Sequence, residues 1–271
     1  MERMIRNSAT DGRMNPSYLR LREELEALGC CAGDVLAVHS SLRSMGAVEG
    51  GADTVIAALS DAVGPTGTLL LPTFTYLTSY VDSFYSNIET PSCVGMLSEV
   101  FRKREGVLRT NHPTHSVALF GRLARELMEG EEGDDTPMGV HSPYRRLGAV
   151  GAKILMIGCG TAHNSYMHAL EEEAGAVYAL RDHQEYTVVD AEGRRRLRRI
   201  RRHNFVRPTG AVYQRYERAL DVLLAGEYRI SPLHGAETVL MEASALRLRV
   251  LAKMREDPFY FVDDPMGYYR R

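Results

Sequence analysis

The stretch 164-NSYMHALEEEAG-175 places His168 three residues before Glu171 and four before Glu172. In a helix that spacing sets an imidazole and a carboxylate on one face. A carboxylate so placed can fix the tautomer of a histidine and make it a general base. On spacing alone a solvated acidic helix face is the stronger reading, and both stay open. A second cluster, 108-LRTNHPTHS-116, compresses Arg109, Asn111, His112 and His115 into seven residues before an apolar run. Arginine with histidine at a loop suits a phosphate or carboxylate ligand; a purely structural turn accounts for it as well. A metal would need His112 and His115 on one helical face, which the intervening Pro113 opposes. The run 194-RRRLRRIRR-202 holds seven arginines. With no aromatic for base stacking, it reads as a solvated hairpin strand or an anion-binding edge before a nucleic-acid surface.

Those residues need elements to position them. Asn15-Pro16-Ser17 opens a helix over SYLRLREELEALG. Then 35-VLAVHSSL-42, 68-TLLLPTF-74 and 153-KILMIGCG-160 read as buried strands, apolar without alternation, as parallel strands are. TVIAALSDAVG between the first two is a helix stopped by Gly64-Pro65, which makes a βαβ unit. Residues 75–93 read as irregular, followed by a helix over VGMLSEVFRKR, a strand at 116–121 and a helix at 122–129. A short helix, SPYRRLGAVG, precedes the third buried strand, and 165–175 forms the helix that carries His168. Later, 184-QEYTVVD-190 and 194-RRRLRRIRRHNF-205 flank the turn Ala191-Glu192-Gly193, a late antiparallel hairpin. Residues 210–225 read as an amphipathic helix, 228–233 as a strand, and 238–257 as a strand or turn running into a helix. The expected architecture is a three-layer αβα sandwich with a mixed, mainly parallel sheet. The loops after the three buried strands would then form the ligand crevice.

Composition bounds the function. The 271 residues are 44% hydrophobic and 25% charged with net charge −2, so bulk charge favours neither nucleic acid nor membrane. No apolar run approaches the roughly 18 residues of a membrane span. Residues 1–15 read as a polar leader without a signal-peptide core, and the absence of repeats or linkers leads to one domain over 1–271. Cys30, Cys31, Cys93 and Cys159 have neither C-x-x-C nor zinc spacing and read as free thiols in a reducing, cytoplasmic setting. The phosphate loop GxxxxGK[ST], GxGxxG and GxSxG are all missing, which disfavours P-loop enzymes, Rossmann dehydrogenases and α/β-hydrolases.

Taken together, four segments resemble the aminoglycoside 3-N-acetyltransferase family, antibiotic N-acetyltransferases outside the GNAT fold that use acetyl-coenzyme A. They are 38-VHSSLRSMGAVEGGADTVIAALSDAVGPTGTLLLPTFT-75, 107-VLRTNHPTHSVALFG-121, 137-PMGVHSPYRRLGAVGAKILMIGCGTAHNSYMHALEE-172 and, weakly, 203-HNFVRPTGAVYQRYERAL-220. The resemblance implies that His168 is the general base and Glu171 its acidic companion, with Thr73 near the thioester carbonyl. It places the coenzyme on Ser40, Ser41, Leu42 and Arg43, with Gly50 and Gly51 opening the next helix. Arg109, Asn111 and His112 match the family's R-[ST]-N-H-P, with Ser116 starting the following strand. It implies acetyl-CoA as cosubstrate, no metal, and transfer to an aminoglycoside amine, N3 of 2-deoxystreptamine, conferring resistance. A biosynthetic amine is the alternative acceptor. Thr73 or a backbone N–H of the Ser40–Leu42 turn is the expected oxyanion donor. The acidic residues Glu129–Asp135 and Glu171–Glu173 are expected to attract a polyamine substrate. The region after residue 175, which shapes the antibiotic pocket in the family, matches poorly.

Overall fold

The computed structural model describes residues 15–204, 212–264, 267 and 269. The leader before Asn15, Phe205 of the hairpin strand, and the first two residues of the helix read over 210–225 lie outside them. Asn15 accepts the Tyr18 N–H at 2.7 Å, and Pro16 takes the first turn, so α1 (Pro16–Leu28) starts where its sequence signals place it. The first βαβ unit follows as β1 (Val35–Ser40), α2 (Gly51–Val63) and β2 (Thr68–Pro72). The stretch read as irregular holds α3 (Tyr76–Asp82) and β3 (Phe84–Ser86). After it come α4 (Met96–Arg102), β4 (Leu108–Arg109), β5 (Val117–Gly121) and α5 (Ala124–Met128). Next are α6 (Pro143–Arg146), β6 (Lys153–Ile157) and α7 (Tyr166–Glu173). The hairpin strands are β7 (Leu180–Val189) and β8 (Arg195–His203), followed by β9 (Tyr213–Gln214) and α8 (Ala219–Val222). The chain closes with β10 (Tyr228–Leu233), β11 (Ala236–Glu242), α9 (Ala243–Glu256) and β12 (Val262–Asp263).

The main sheet runs β10-β11-β6-β1-β2-β5-β4. Its β6–β1 and β1–β2 pairings are parallel, and the pairings outside them are antiparallel. The sheet is mixed, as expected, but its parallel part is confined to the three strands that read as buried. The flanking strands enter by hairpin or reversed connections, which add antiparallel edges. Both faces are covered. Leu36, Val38, Leu69, Leu71, Leu155 and Ile157 pack under α1, α2 and α4 on one side. Ala37, Leu70, Ile154 and Met156 pack under residues of α6, α7 and α9 on the other. Each fully buried aliphatic side chain contributes roughly 1.5–3 kcal/mol of apolar transfer, so the centre of the sheet is a firm platform for the loops at its carboxyl edge.

A second sheet, β3-β7-β8, carries the hairpin and its own small core of Tyr85, Tyr186, Val188 and Ile200. The helix read over 210–225 is shorter than its periodicity implied. Tyr213–Gln214 is a strand paired with Val262–Asp263, and helix starts only at the turn Tyr216–Arg218 and α8. A tertiary pairing overrides local amphipathicity there. No helix among the described residues is long and apolar enough to cross a membrane.

Candidate active site

A cavity of about 390 Å³ opens at the carboxyl ends of β1, β2 and β6. His39 and Ser40 end β1, Pro72 ends β2 with Phe74 just beyond it, and Cys159 follows β6. His115, Asn164, Ser165 and His168 add polar wall, with Tyr76, Cys93 and Val94 opposite, and Gln214 and Tyr216 also border it. The chain can turn here because Gly158 is left-handed (φ 60°), and a Cβ on it would meet the Ser44 Cβ at 2.6 Å. Ser44 in turn bonds the Gly158 carbonyl and the Ser41 hydroxyl, each at 2.8 Å, which locks the turn after β1 onto the end of β6.

His168 lies in the first turn of α7 with its ring on the cavity wall. Glu171, fully buried one turn on, has Oε2 3.5 Å from its Nδ1. The Tyr216 hydroxyl stands closer to both: 2.9 Å from His168 Nδ1 and 2.6 Å from Glu171 Oε2. The Gln214 amide nitrogen lies 2.9 Å from that hydroxyl and 3.2 Å from His168 Nε2. His203, at the end of the arginine strand, stacks on His168 at 4.4 Å and meets His115 edge-on at 4.6 Å. Its Nε2 is 2.8 Å from Glu172, so the adjacent glutamates of α7 serve different imidazoles. Burial, with His168 beside it, holds His203 well below the ordinary histidine range, and burial raises the Glu172 carboxyl. His39 accepts the Ser165 N–H at 3.2 Å and stays neutral, lowered to about 3 by burial and by His163 and His168.

Of the residues expected at the site, His168 and Ser40 line the cavity and Glu171 backs it. Thr73 does not face it. Fully buried, its N–H and hydroxyl meet Ser116, and its carbonyl accepts from Arg109 at 2.9 Å and Ser116 at 2.7 Å. Thr73 is therefore no candidate for an oxyanion donor; its neighbours Pro72 and Phe74 reach the cavity instead. Arg109 is likewise turned inward. Its guanidinium donates to the carbonyls of Asn87, Thr90 and Thr73 and to the hydroxyls of Thr73 and Ser116, beneath the Tyr85 ring. Asn111 bonds Asn87 and Glu132, and the buried His112 accepts the N–H groups of Thr114 and His115. The buried part of the RTNHP cluster, Arg109 and His112, thus braces the site from behind. Its residue types suited an anion equally well; burial decides against that role.

Ser41, Leu42 and exposed Arg43 form the turn after β1, outside the cavity lining. The Ser41 N–H is spent on the Ile157 carbonyl, which removes one expected oxyanion donor of that turn. Gly50 and Gly51 start α2 beside Asn15, also outside the lining. The acidic loop is not free to draw in a polycation either: Glu131 and Glu132 face Arg198 and Arg196, Asp134 meets His141, and Asp135 meets His183. Two arginines of the strand, Arg196 and Arg198, thus meet two glutamates of the loop. Glu171 and Glu172 are buried behind imidazoles, and Glu173 pairs with Arg145 and Arg247. Among the described residues no carboxylate lines the cavity, and no cluster of three or more metal-ligating side chains is arranged to hold a metal.

Replacing Arg109 by methionine keeps the apolar stem but orphans two buried carbonyls, those of Asn87 and Thr90, an expected loss of roughly 3–5 kcal/mol in urea unfolding. In the folded variant the KM for acetyl-CoA stays unchanged. A stable variant with a raised KM would return Arg109 to the coenzyme.

Sequence reasoning missed Tyr216, Gln214 and His203. The segment 213-YQRY-216 carries no local signal beyond its aromatics, and only the β9–β12 pairing brings it to α7. His203 offered one faint sign, an imidazole ending an otherwise cationic strand.

A three-layer fold with an imidazole-lined cavity at the carboxyl ends of its parallel strands defines an α/β protein with a ligand crevice in the usual place for that class. More narrowly, the chain belongs to the aminoglycoside 3-N-acetyltransferase family, whose sequence model matches residues 37–254. It is 32% identical over 195 residues to aminoglycoside N(3)-acetyltransferase VII of Streptomyces paromomycinus, covering 64% of this chain and 66% of that protein. It is 34% identical over 176 residues to aminoglycoside N(3)-acetyltransferase VIII of Streptomyces fradiae, covering 58% and 61%. The match thus spans less than two thirds of either relative. A mutant of aminoglycoside acetyltransferase AAC(3)-IVa, solved in complex with a gentamicin, superposes with a TM-score of 0.78 at 25% identity, covering 92% of each chain.

Proposed function

We propose that this protein is an acetyl-CoA-dependent N-acetyltransferase that modifies an amine of an aminoglycoside, at N3 of the deoxystreptamine ring, by direct transfer in a ternary complex. The observation that carries the reading is an imidazole on the cavity wall, His168, with a fully buried carboxylate behind it. The amine nitrogen attacks the thioester carbonyl and gives its proton to His168 Nε2. The C–N bond forms, the C–S bond breaks, the leaving thiolate takes that proton from the imidazolium, and the second proton of an ammonium acceptor goes to solvent. Holding amine and thioester together in one cavity contributes on the order of 7–11 kcal/mol in favourable cases. The two thiols on the wall do not offer a covalent route. Burial raises Cys93 and pushes Cys159 up to about 11, so both are protonated at neutral pH and are poor nucleophiles.

A second reading is transfer to a less charged amine. It is favoured by one observation, the lack of any carboxylate on the described cavity wall to meet the other ammonium groups of an aminoglycoside. Thiol release from acetyl-CoA, measured across aminoglycosides and simple amines at several salt concentrations, separates the readings. Release with a deoxystreptamine aminoglycoside is expected, with kcat/KM nearly flat in ionic strength because no carboxylate among the described residues lines the cavity to steer the substrate. If simple amines alone release thiol, the second reading takes over; release from neither class sinks both.

A further inference from the structure

We propose that Tyr216 is a positioning residue: its phenol, rather than Glu171 directly, fixes the proton on His168 Nδ1 and keeps the Nε2 lone pair available for the amine. The proposal rests on the reading of His168 as the general base.

The network allows one proton arrangement. Glu171 Oε2, acceptor-only when ionised, sits 2.6 Å from the Tyr216 hydroxyl, so the phenol gives it its single proton. Burial and the Glu171 carboxylate hold the phenol well above its ordinary range, so it does not lose that proton at neutral pH. With its hydrogen committed, the phenol oxygen can only accept from its other two neighbours. These are the Gln214 amide nitrogen and His168 Nδ1, both at 2.9 Å. Nδ1 therefore carries the hydrogen. The Gln214 amide nitrogen lies 3.2 Å from Nε2 and 3.5 Å from Nδ1, beside the ring between its two nitrogens, so the tautomer is set by the phenol and not by the amide. The direct His168–Glu171 distance, 3.5 Å, is too long to compete with the two short contacts through the phenol. Tyr216 is itself fixed, 1% exposed and held by β9 and the turn that follows it. Tyr178 also adjoins Glu171, whose carboxylate raises that phenol after burial does.

The test compares Tyr216→Phe, which keeps the ring, with Glu171→Gln, whose amide oxygen still accepts from the phenol. Nitrogen-15 NMR of labelled histidine reports the His168 tautomer, and steady-state kinetics separates kcat from KM. In the unmodified protein Nδ1 is expected to be protonated. Tyr216→Phe mixes the tautomers and lowers kcat by roughly 10–100-fold, with the KM for acetyl-CoA unchanged. Glu171→Gln keeps the tautomer. The proposal is overturned if Tyr216→Phe retains both tautomer and kcat, or if Glu171→Gln scrambles the tautomer while Tyr216→Phe does not. Should Tyr216→Phe fail to fold, the unmodified protein decides alone, since Nε2 protonation there contradicts the network. Failure of the underlying reading shows separately, as an undiminished kcat in His168→Ala whatever the tautomer of the unmodified protein.

Discussion

Replacing His168 by alanine is expected to lower kcat for acetyl transfer by about 10²–10⁴-fold while leaving the fold and acetyl-CoA binding in place. The magnitude follows from the acceptor chemistry: an amine protonated at neutral pH has no lone pair for the thioester, so the proton must leave before or during attack. The alanine variant keeps Tyr216, Glu171 and Gln214 bonded to one another, and the ring it removes borders a cavity rather than filling the core. Stability should therefore fall far less than activity does. The residual rate should climb with pH as the amine sheds its own proton. Steady-state kinetics at pH 7, with circular dichroism to monitor the fold, checks this. A kcat near that of the unmodified protein would remove His168 from the chemistry.

Acidification is expected to destabilise the protein steeply, through imidazoles that the fold keeps neutral. His39, His112, His115 and His203 are all lowered, first by burial and then by neighbouring imidazoles or, for His112, by the Arg198 guanidinium. In the unfolded chain each takes a proton near pH 6.5, whereas folded His39 resists until about 3. The unfolded state binds more protons throughout that window, so stability falls as the pH drops through it. Two carboxyls act oppositely between 4.5 and their raised native values: Glu131, pushed up to about 7 by burial, and Glu172, raised by burial. At about 1.4 kcal/mol per proton per pH unit, each imidazole held neutral while its unfolded counterpart is charged steepens the fall, and the raised carboxyls offset part of it above about pH 4.5. Urea midpoints at pH 7.5, 6 and 5 read this directly; a midpoint at pH 5 equal to or above that at 7.5 contradicts neutral buried imidazoles.

Much of this architecture was legible in the chain. The three apolar strands, the βαβ unit, α7 and the late hairpin sit where their periodicity, caps and turn residues put them. His168 and Glu171 were visible as a pair because a helix converts a spacing of three into proximity. The misreadings share one cause. Thr73, Arg109 and His112 have residue types that serve a ligand or a buried network equally well, and only burial separates the two. Likewise the acidic loop was expected to attract a polycation and the arginine run read as a solvated strand or an anion-binding edge, and part of each meets the other instead, Arg196 at Glu132 and Arg198 at Glu131.

By itself, then, the amino-acid sequence determined the strands and helices, the crevice edge and the histidine that borders it, because these depend on interactions over a few residues. Tertiary structure alone decided what stands behind that histidine. Tyr216 lies 48 residues from His168 and reaches it only because β9 pairs with β12. His203 arrives from a hairpin in a separate sheet. Contacts of that range carry no periodic trace in the chain, since the side chains that meet are chosen by packing and by the need to satisfy buried polar groups.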